Sequence, residues 1–310
     1  MELKHYSVLL NESIDMLNIK EDGIYVDCTL GGGGHSSMIL SKLTSGHLYC
    51  FDQDDDAIAI AKPRLEKISN NFTIIKSNFV NIKEELNSLG IFKVDGIIFD
   101  LGVSSFQFDI PERGFSYRFD SPLDMRMDQS IDFSAYDIVN SYSQEELSKI
   151  FFEYGEEKFS RQIAKKIVEY RKNKPITTTF ELVDIIKSSL PAAVLRKAGH
   201  PAKQVFQALR IEVNHELDYL KDALTDSLDL INVNGVVGVI TFHSLEDRIV
   251  KNIFKDRVTL KLPKGLPFIP EGYEVNYELI NKNVILPSEK ELDENNRSHS
   301  AKLRGIRKIK

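Results

Sequence analysis

Through the first hundred residues, short apolar runs alternate with stretches in which apolar positions recur at helical spacing. The runs at 24–28, 47–51, 72–76 and 94–99 read as strands, and 38–43, 54–67 and 81–89 read as helices between them. Strand and helix in strict alternation predict right-handed βαβ units and a parallel sheet buried on both faces. Ligands of such sheets bind outside the carboxyl ends of the strands.

From Phe108 the rhythm breaks. Residues 109–134 are rich in Asp, Arg, Pro and aromatics without a clear period, and helical stretches follow. Ser143-Gln144-Glu145-Glu146 and Thr178-Thr179-Phe180-Glu181 each match a capping box, in which the hydroxyl and the acid satisfy the helix's first N–H groups reciprocally. Strand signals return only at Gly235. The pattern predicts a discontinuous sheet domain, 1–108 plus 203–310, and an inserted, mainly helical domain at 109–202. A helix at 204–231 leads back to the sheet, 236–242 forms a buried strand, Ser244 to Asp247 caps the helix after it, and 301–309 adds a late strand.

The composition narrows the class. The longest apolar stretch, 236–242, is far below the ~20 residues a membrane-spanning helix needs, and Met1 to His5 lacks a signal-peptide pattern. The two cysteines, Cys28 and Cys50, fall in buried strands, and no CxxC or HExxH spacing offers a metal site. The expectation is a cytoplasmic protein with no metal. Net charge is −6 over 310 residues, yet three stretches are basic. One is 297–310, with six Lys/Arg and no acid. A second holds Arg161, Lys165, Lys166, Arg171, Lys172 and Lys174, opposed by Glu169. The third runs from Arg196 to Lys203. Basic runs on an acidic chain suggest a local polyanion site, against the alternative of solvated helix faces and a tail.

The chemistry concentrates at predicted strand ends. Asp27-Cys28-Thr29-Leu30-Gly31-Gly32-Gly33-Gly34-His35-Ser36 joins the first strand to the first helix, and Asp52 ends the second strand 21 residues after Gly31. A glycine loop lets backbone approach a ligand, and an acid about 20 residues later can grip a ribose by its hydroxyls. The dinucleotide fingerprint fails, because its last glycine position holds Ser36 or Ser37, and no Walker lysine follows a glycine. S-adenosylmethionine (SAM), which has a ribose but no pyrophosphate, fits better. Asp100 closes the fourth strand, where an acceptor could hold an exocyclic amine with its lone pair out of conjugation, or could bind the cofactor. His243 stands at the same edge after the fifth strand, as a catalytic group or as a histidine bonded within its turn. Arg113 and Arg126 open the insertion, either as buried arginines paired with nearby aspartates or as part of an RNA-gripping lid.

Together these segments resemble the bacterial small-subunit rRNA methyltransferase family RsmH, also called MraW. The match covers nearly the whole chain: His5 to Leu10, the glycine loop, Asp52, Asp100 to Ser105, Glu112 to Phe115, Pro122 to Met127, Tyr154 to Glu157, His200-Pro201-Ala202 and Phe242 to Lys251. Phe106 departs from the family pattern, where proline is frequent. The resemblance implies an α/β, class I, Rossmann-like methyltransferase sheet with an inserted helical domain. It also implies SAM contacts at Gly33, Gly34, His35, Asp52, Phe79, Asp100 and Gln107. Its implied reaction is methylation of the N4 amine of a decoding-centre cytosine in 16S rRNA, within the small ribosomal subunit. RNA-binding candidates are Arg113, Arg126, Arg161, Lys165, Lys166, Arg171 and Lys172; catalytic candidates are Asp100 and His243. Methylation at ring carbon 5 would instead need a cysteine nucleophile, and a non-catalytic SAM-binding ribosome partner is a third reading. No membrane partner is expected, and a homodimer is left open.

Overall fold

The structure is a computed structural model that describes residues 7–196, 199–260 and 274–310, apart from the side chains of Ser105 and Phe106. His5, Tyr6 and Lys197, part of the motifs above, lie outside the described residues, as does the Phe106 side chain. The chain forms two compact units, Met1–Gly102 with Leu217–Lys310, and Val103–Glu216.

The first unit opens with helix α1 (Leu10–Leu17) and then alternates β1 (Ile24–Asp27), α2 (Gly34–Leu40), β2 (His47–Asp52), α3 (Asp55–Glu66), β3 (Phe72–Lys76), α4 (Ile82–Ser88) and β4 (Val94–Asp100). Helix α3 starts where Asp54 accepts the N–H of Asp56 at 3.0 Å, with Asp55 and Asp56 favouring its positive end. Helix α2 begins at Gly34, inside the glycine motif and earlier than the apolar pattern at 38–43 indicates. Ser37 donates to the Gly33 carbonyl there, and Gly33 holds φ 73°.

The second unit contains α5 (Ser105–Asp109), α6 (Ala135–Ser141), α7 (Gln144–Glu153), α8 (Ser160–Arg171), α9 (Thr179–Ser189), α10 (Ala192–Leu195) and α11 (Lys203–Asn214). Both sequence capping boxes form, at Ser143 for α7 and Thr178 for α9. Its own core includes Ile138, Phe151, Ile163, Ile186, Val205 and Leu209. Helix α11 packs in this core because the long helix expected at 204–231 is broken. His215 turns left-handed at φ 50°, its N–H reaching back to Glu212, and α12 (Glu216–Leu230) starts afresh.

The chain returns to the first unit through α12. It continues with β5 (Ile231–Thr241), α13 (Ser244–Val258), β6 (Tyr277–Leu279), α14 (Glu289–Glu294) and β7 (Lys302–Lys308). Ile231 is therefore strand, pairing with Val94, rather than the last turn of a helix. Asn234 at φ 69° and Gly235 then loop out before regular pairing resumes at Val236. The short β6 has no apolar run to announce it. The sheet order is β3-β2-β1-β4-β5-β7-β6; β1 to β5 pair in parallel, and β7 is antiparallel to both neighbours.

Along β4 and β5 alternate residues feed two cores. Ile97, Phe99, Val237 and Val239 join α4, α12 and α13, while Ile98, Val236 and Ile240 join α1 and α2. Among the described residues no helix is long and apolar enough to cross a membrane. The basic stretch at 297–310 is mostly strand rather than a tail. Lys302 and Arg304 share Asp247 and Arg307 pairs with Glu278, so these cations are engaged within the unit.

Gly238 and Gly305 face each other across β5 and β7. They leave the space in which Met16 of α1 lies: a Cβ on Gly305 would stand 2.3 Å from the Met16 sulfur and 3.0 Å from Ile280. We expect Gly305→Ala to destabilise the protein by ~1–3 kcal/mol through overpacking. The Met16→Ala, Gly305→Ala double variant should lose less than the sum of the single losses in denaturant melts, since Met16→Ala removes the clash. Additive losses would show that Met16 does not set this constraint.

Candidate cofactor and active site

The carboxyl edge of the first unit gathers three aspartates at adjacent strand ends. Asp27, ending β1, is 1% exposed. Its Oδ2 accepts the Ser36 hydroxyl at 2.6 Å and its Oδ1 accepts the Thr29 N–H at 3.0 Å. The Thr29 hydroxyl oxygen accepts the N–H of Asp100 at 2.7 Å, joining the end of β1 to the end of β4. Arg64 of α3 donates to the Gly32 carbonyl at 3.1 Å and holds the loop from outside. The sequence marks Asp27 to Ser36 as the loop motif but assigns no role to Asp27, Thr29 or Ser36, and gives no sign of Arg64. The readable signal was an acid ending a strand directly before the glycines.

Two features require glycine in the loop. Gly31 and Gly33 have positive φ, 46° and 73°. Gly34 admits the incoming chain: a Cβ there would sit 1.7 Å from the Ser7 hydroxyl. The close approach at Gly34 is thus made by the protein's own Ser7.

Asp52 accepts the Gly31 N–H at 2.9 Å through Oδ2 and the Asp54 N–H at 2.9 Å through Oδ1, bracing the loop against β2. Each oxygen retains a lone pair for a ribose hydroxyl. Burial pushes its carboxyl up to about 6, against the pull of those two N–H donors. Asp100 stands with Oδ2 3.6 Å from Nδ1 of the buried His35. Its carboxyl is likewise pushed up to about 6 by burial, opposed by His35 and Arg297. Asp100 Oδ1 and His35 Nε2 are buried without a hydrogen-bond partner.

Phe79 follows β3 in a single 3₁₀ turn, Phe79–Asn81, and meets Phe99 edge-on at 5.6 Å between centroids. His243 comes after β5 and occupies the N-cap of α13, the place the sequence reading gave to Ser244. The acid that completes the cap is Glu246, whose Oε2 accepts the N–H groups of Phe242 and His243 at 2.8 and 3.3 Å. Asp247 is drawn instead to Lys302 and Arg304 on β7. The His243 ring nitrogens are buried without a hydrogen bond; Nε2 comes within 3.1 Å of Glu246 Oε1 but out of alignment. Gln107 lies in the second unit, 6% exposed, where its Oε1 accepts the Ser104 N–H at 3.0 Å.

Of the arginines and lysines proposed to touch RNA, three are braces within the second unit. Arg113, 5% exposed, donates to the carbonyls of Arg126 and Met127. Arg126 forms a two-pronged pair with Asp124, at 2.7 Å on each prong. Arg171 donates to the carbonyls of Val139 and Tyr142. Their planar guanidiniums are engaged by oxygens of their own unit. Arg161, Lys165, Lys166 and Lys172 are exposed on or just after α8, with Lys165 3.8 Å from Glu169.

An edge rich in carboxylate acceptors, with an unpartnered buried oxygen and imidazole nitrogen, fits a ligand that carries hydroxyl and ammonium donors, as SAM does. The sheet order, the antiparallel β7, the glycine loop and the acid ending β2 define a class I, Rossmann-like, SAM-dependent methyltransferase. Within that class the chain belongs to the MraW methylase family, whose model matches residues 2–309. A Streptococcus mutans protein named ribosomal RNA small subunit methyltransferase H is 57% identical over 312 residues, covering 100% of this chain and 99% of its own. Its namesake from Streptococcus dysgalactiae subsp. equisimilis is 55% identical over 312 residues, with the same coverage. Among solved structures, an rRNA methylase from Streptococcus thermophilus aligns over 99% of each chain with a TM-score of 0.45 and 12% identity.

With Asp52 as the proposed ribose acceptor, acting as carboxylate, SAM affinity should fall as pH drops through about 6, the direction set by its raised carboxyl. Asp52→Asn should bind SAM roughly tenfold more weakly at pH 8, as expected for one lost charge-assisted hydrogen bond. It should also show a shallower pH dependence, with Asp100 as the remaining acid. Calorimetry across pH 5–8 checks both, and an unchanged pH profile would remove Asp52 from the binding site.

Proposed function

We propose that this chain transfers the methyl group of SAM to the exocyclic N4 amine of a decoding-centre cytosine in 16S rRNA of the small ribosomal subunit. Membership in a methylase family and full-length likeness to two proteins named for small-subunit rRNA support the substrate. The observation that carries the amine is Asp100 at the end of β4, with one buried carboxylate oxygen lacking a partner. In this reading Gly33, Gly34, His35, Asp52 and Phe79 hold the cofactor. When bound, SAM supplies an electrophilic methyl on a cationic sulfur.

Asp100 accepts a hydrogen from the amine and holds its lone pair out of the ring's π system. It then takes up the proton the nitrogen loses on methylation. With its carboxyl at about 6 it is ionised at neutral pH yet more basic than an exposed aspartate. His35, with Nδ1 3.6 Å from Asp100 Oδ2, stands beside that carboxylate, and His243 at the same edge is a second polar contact for the base.

Attack through ring carbon 5 fits this chain poorly. Both cysteines are fully buried, and burial pushes their thiols up, away from the thiolate such chemistry needs. Incubating undermethylated small subunits with enzyme and SAM, then digesting the rRNA for nucleoside mass spectrometry, should yield N4-methylcytidine. The Cys28→Ala, Cys50→Ala variant should retain the product, and Asp100→Ala should lose at least about a hundredfold in rate. 5-Methylcytidine, or dependence on a cysteine, would replace this mechanism with a covalent one.

The exposed cations of α8 form the proposed phosphate-facing surface. Replacing Arg161, Lys165, Lys166 and Lys172 with alanine, while keeping Arg171, should weaken small-subunit binding and flatten its dependence on salt, because each lost phosphate contact releases fewer counterions. SAM affinity should stay constant. Equal affinities and slopes across a salt series would exclude this face.

A further inference from the structure

The second unit carries an aromatic and cationic cluster outside the α8 face. Tyr117 and His200 stack with centroids 4.1 Å apart and planes 9° from parallel, and Tyr117 is backed edge-on by Phe206 at 5.6 Å. His200 Nδ1 accepts the N–H of Ala202 at 3.2 Å, which fixes the ring and leaves Nε2 as the protonated nitrogen of the neutral imidazole. Phe119 and Phe180 are 44% and 41% exposed.

The two segments that carry Phe119 and Phe180 are tied together. The Thr179 hydroxyl donates to the Phe119 carbonyl at 2.6 Å and its oxygen accepts the Ser121 N–H at 3.0 Å. The Phe180 N–H donates to Asp120 at 3.3 Å. Segment 119–121 is thereby fixed to the start of α9, which carries Phe180 and, two turns on, Lys187. Arg118 and Lys187 are exposed, and neither forms an ion pair among the described residues. Both stand close enough to His200 to lower its pKa, in addition to burial.

We propose that this surface is a second RNA contact, a stacking platform for unpaired bases of ribosomal RNA flanked by Arg118 and Lys187 on its phosphates. The proposal rests on the rRNA reading above. Flat aromatic faces with adjacent unpaired cations suit single strands, whose bases stack without regard to sequence while the backbone follows the charge. An apolar protein partner would not require the two cations, and a duplex would not use the rings.

Binding is measured for wild type, Arg118→Ala with Lys187→Ala, and His200→Asn, whose amide oxygen can still accept the Ala202 N–H. The probes are undermethylated small subunits and protein-free 16S rRNA over a salt series, with SAM affinity as the check on folding. The charge variant should bind both probes roughly tenfold more weakly, with a slope of log K against log salt reduced by about 1.4–1.8 for two lost contacts. His200→Asn should weaken binding severalfold with the slope unchanged. Because Arg118 and Lys187 are exposed, the charge variant decides the matter even if His200→Asn fails to fold. Wild-type affinity in the charge variant overturns the platform. So does weakened binding to the intact subunit with unchanged binding to free rRNA, which would make the partner a ribosomal protein. Wild type binding neither probe overturns both the platform and the rRNA reading. Variant-sensitive binding without methyl transfer supports the platform and overturns the enzymatic reading alone.

Discussion

The buried carboxylate of Asp27 is the constraint on which the candidate site depends. A polar group removed from water is tolerated only when its oxygens are met by partners, and here a hydroxyl and a backbone N–H meet them. Those donors come from both sides of the glycine loop, so satisfying Asp27 fixes where α2 begins relative to β1. Through Thr29 the same constraint reaches the backbone of Asp100. Asp27 also adds to the repulsion that raises Asp52 and Asp100, behind the larger effect of burial. One buried side chain therefore ties the loop to the ends of β1 and β4 and adds a smaller share to the raised carboxyls of Asp52 and Asp100.

The sheet was largely legible in the sequence because parallel strands buried on both faces appear as unbroken apolar runs. Asp52 and Asp100 were legible because strand ends are where such folds place polar chemistry. Capping boxes at Ser143 and Thr178 reported helix starts directly, since their pattern is local. What stayed hidden depends on distant partners. Arg113, Arg126 and Arg171 look like surface cations until the carbonyls and the carboxylate they hold are known. The basic C-terminal stretch looks like a tail until Asp247 and Glu278 are seen opposite it. The break at His215 is a backbone choice with no signature in its side chain, and β6 is too short to show a period.

Charge is sorted between the units in a way composition alone conceals. The first unit lines its carboxyl edge with acceptors and pairs most of the cations of β7 internally. The second keeps its uncommitted cations on exposed positions of α8 and around Tyr117 and His200. An overall net charge of −6 thus coexists with surfaces suited to a polyanion. The folding of each unit around its own core lets the two kinds of surface be built independently.

The pairing of β4 with β5 has a consequence for how the chain is made. These strands are hydrogen-bonded neighbours at the centre of the sheet, yet about 130 residues separate the end of one from the start of the other. At typical synthesis rates of roughly 5–20 residues per second, the ribosome needs on the order of ten seconds to deliver β5 after β4 has emerged. During that interval the nascent sheet ends at an open apolar edge formed by Ile97, Ile98 and Phe99, the kind of edge that recruits other chains. A self-contained helical unit that collapses first shortens the effective span to be closed and limits the time this edge stands unpaired.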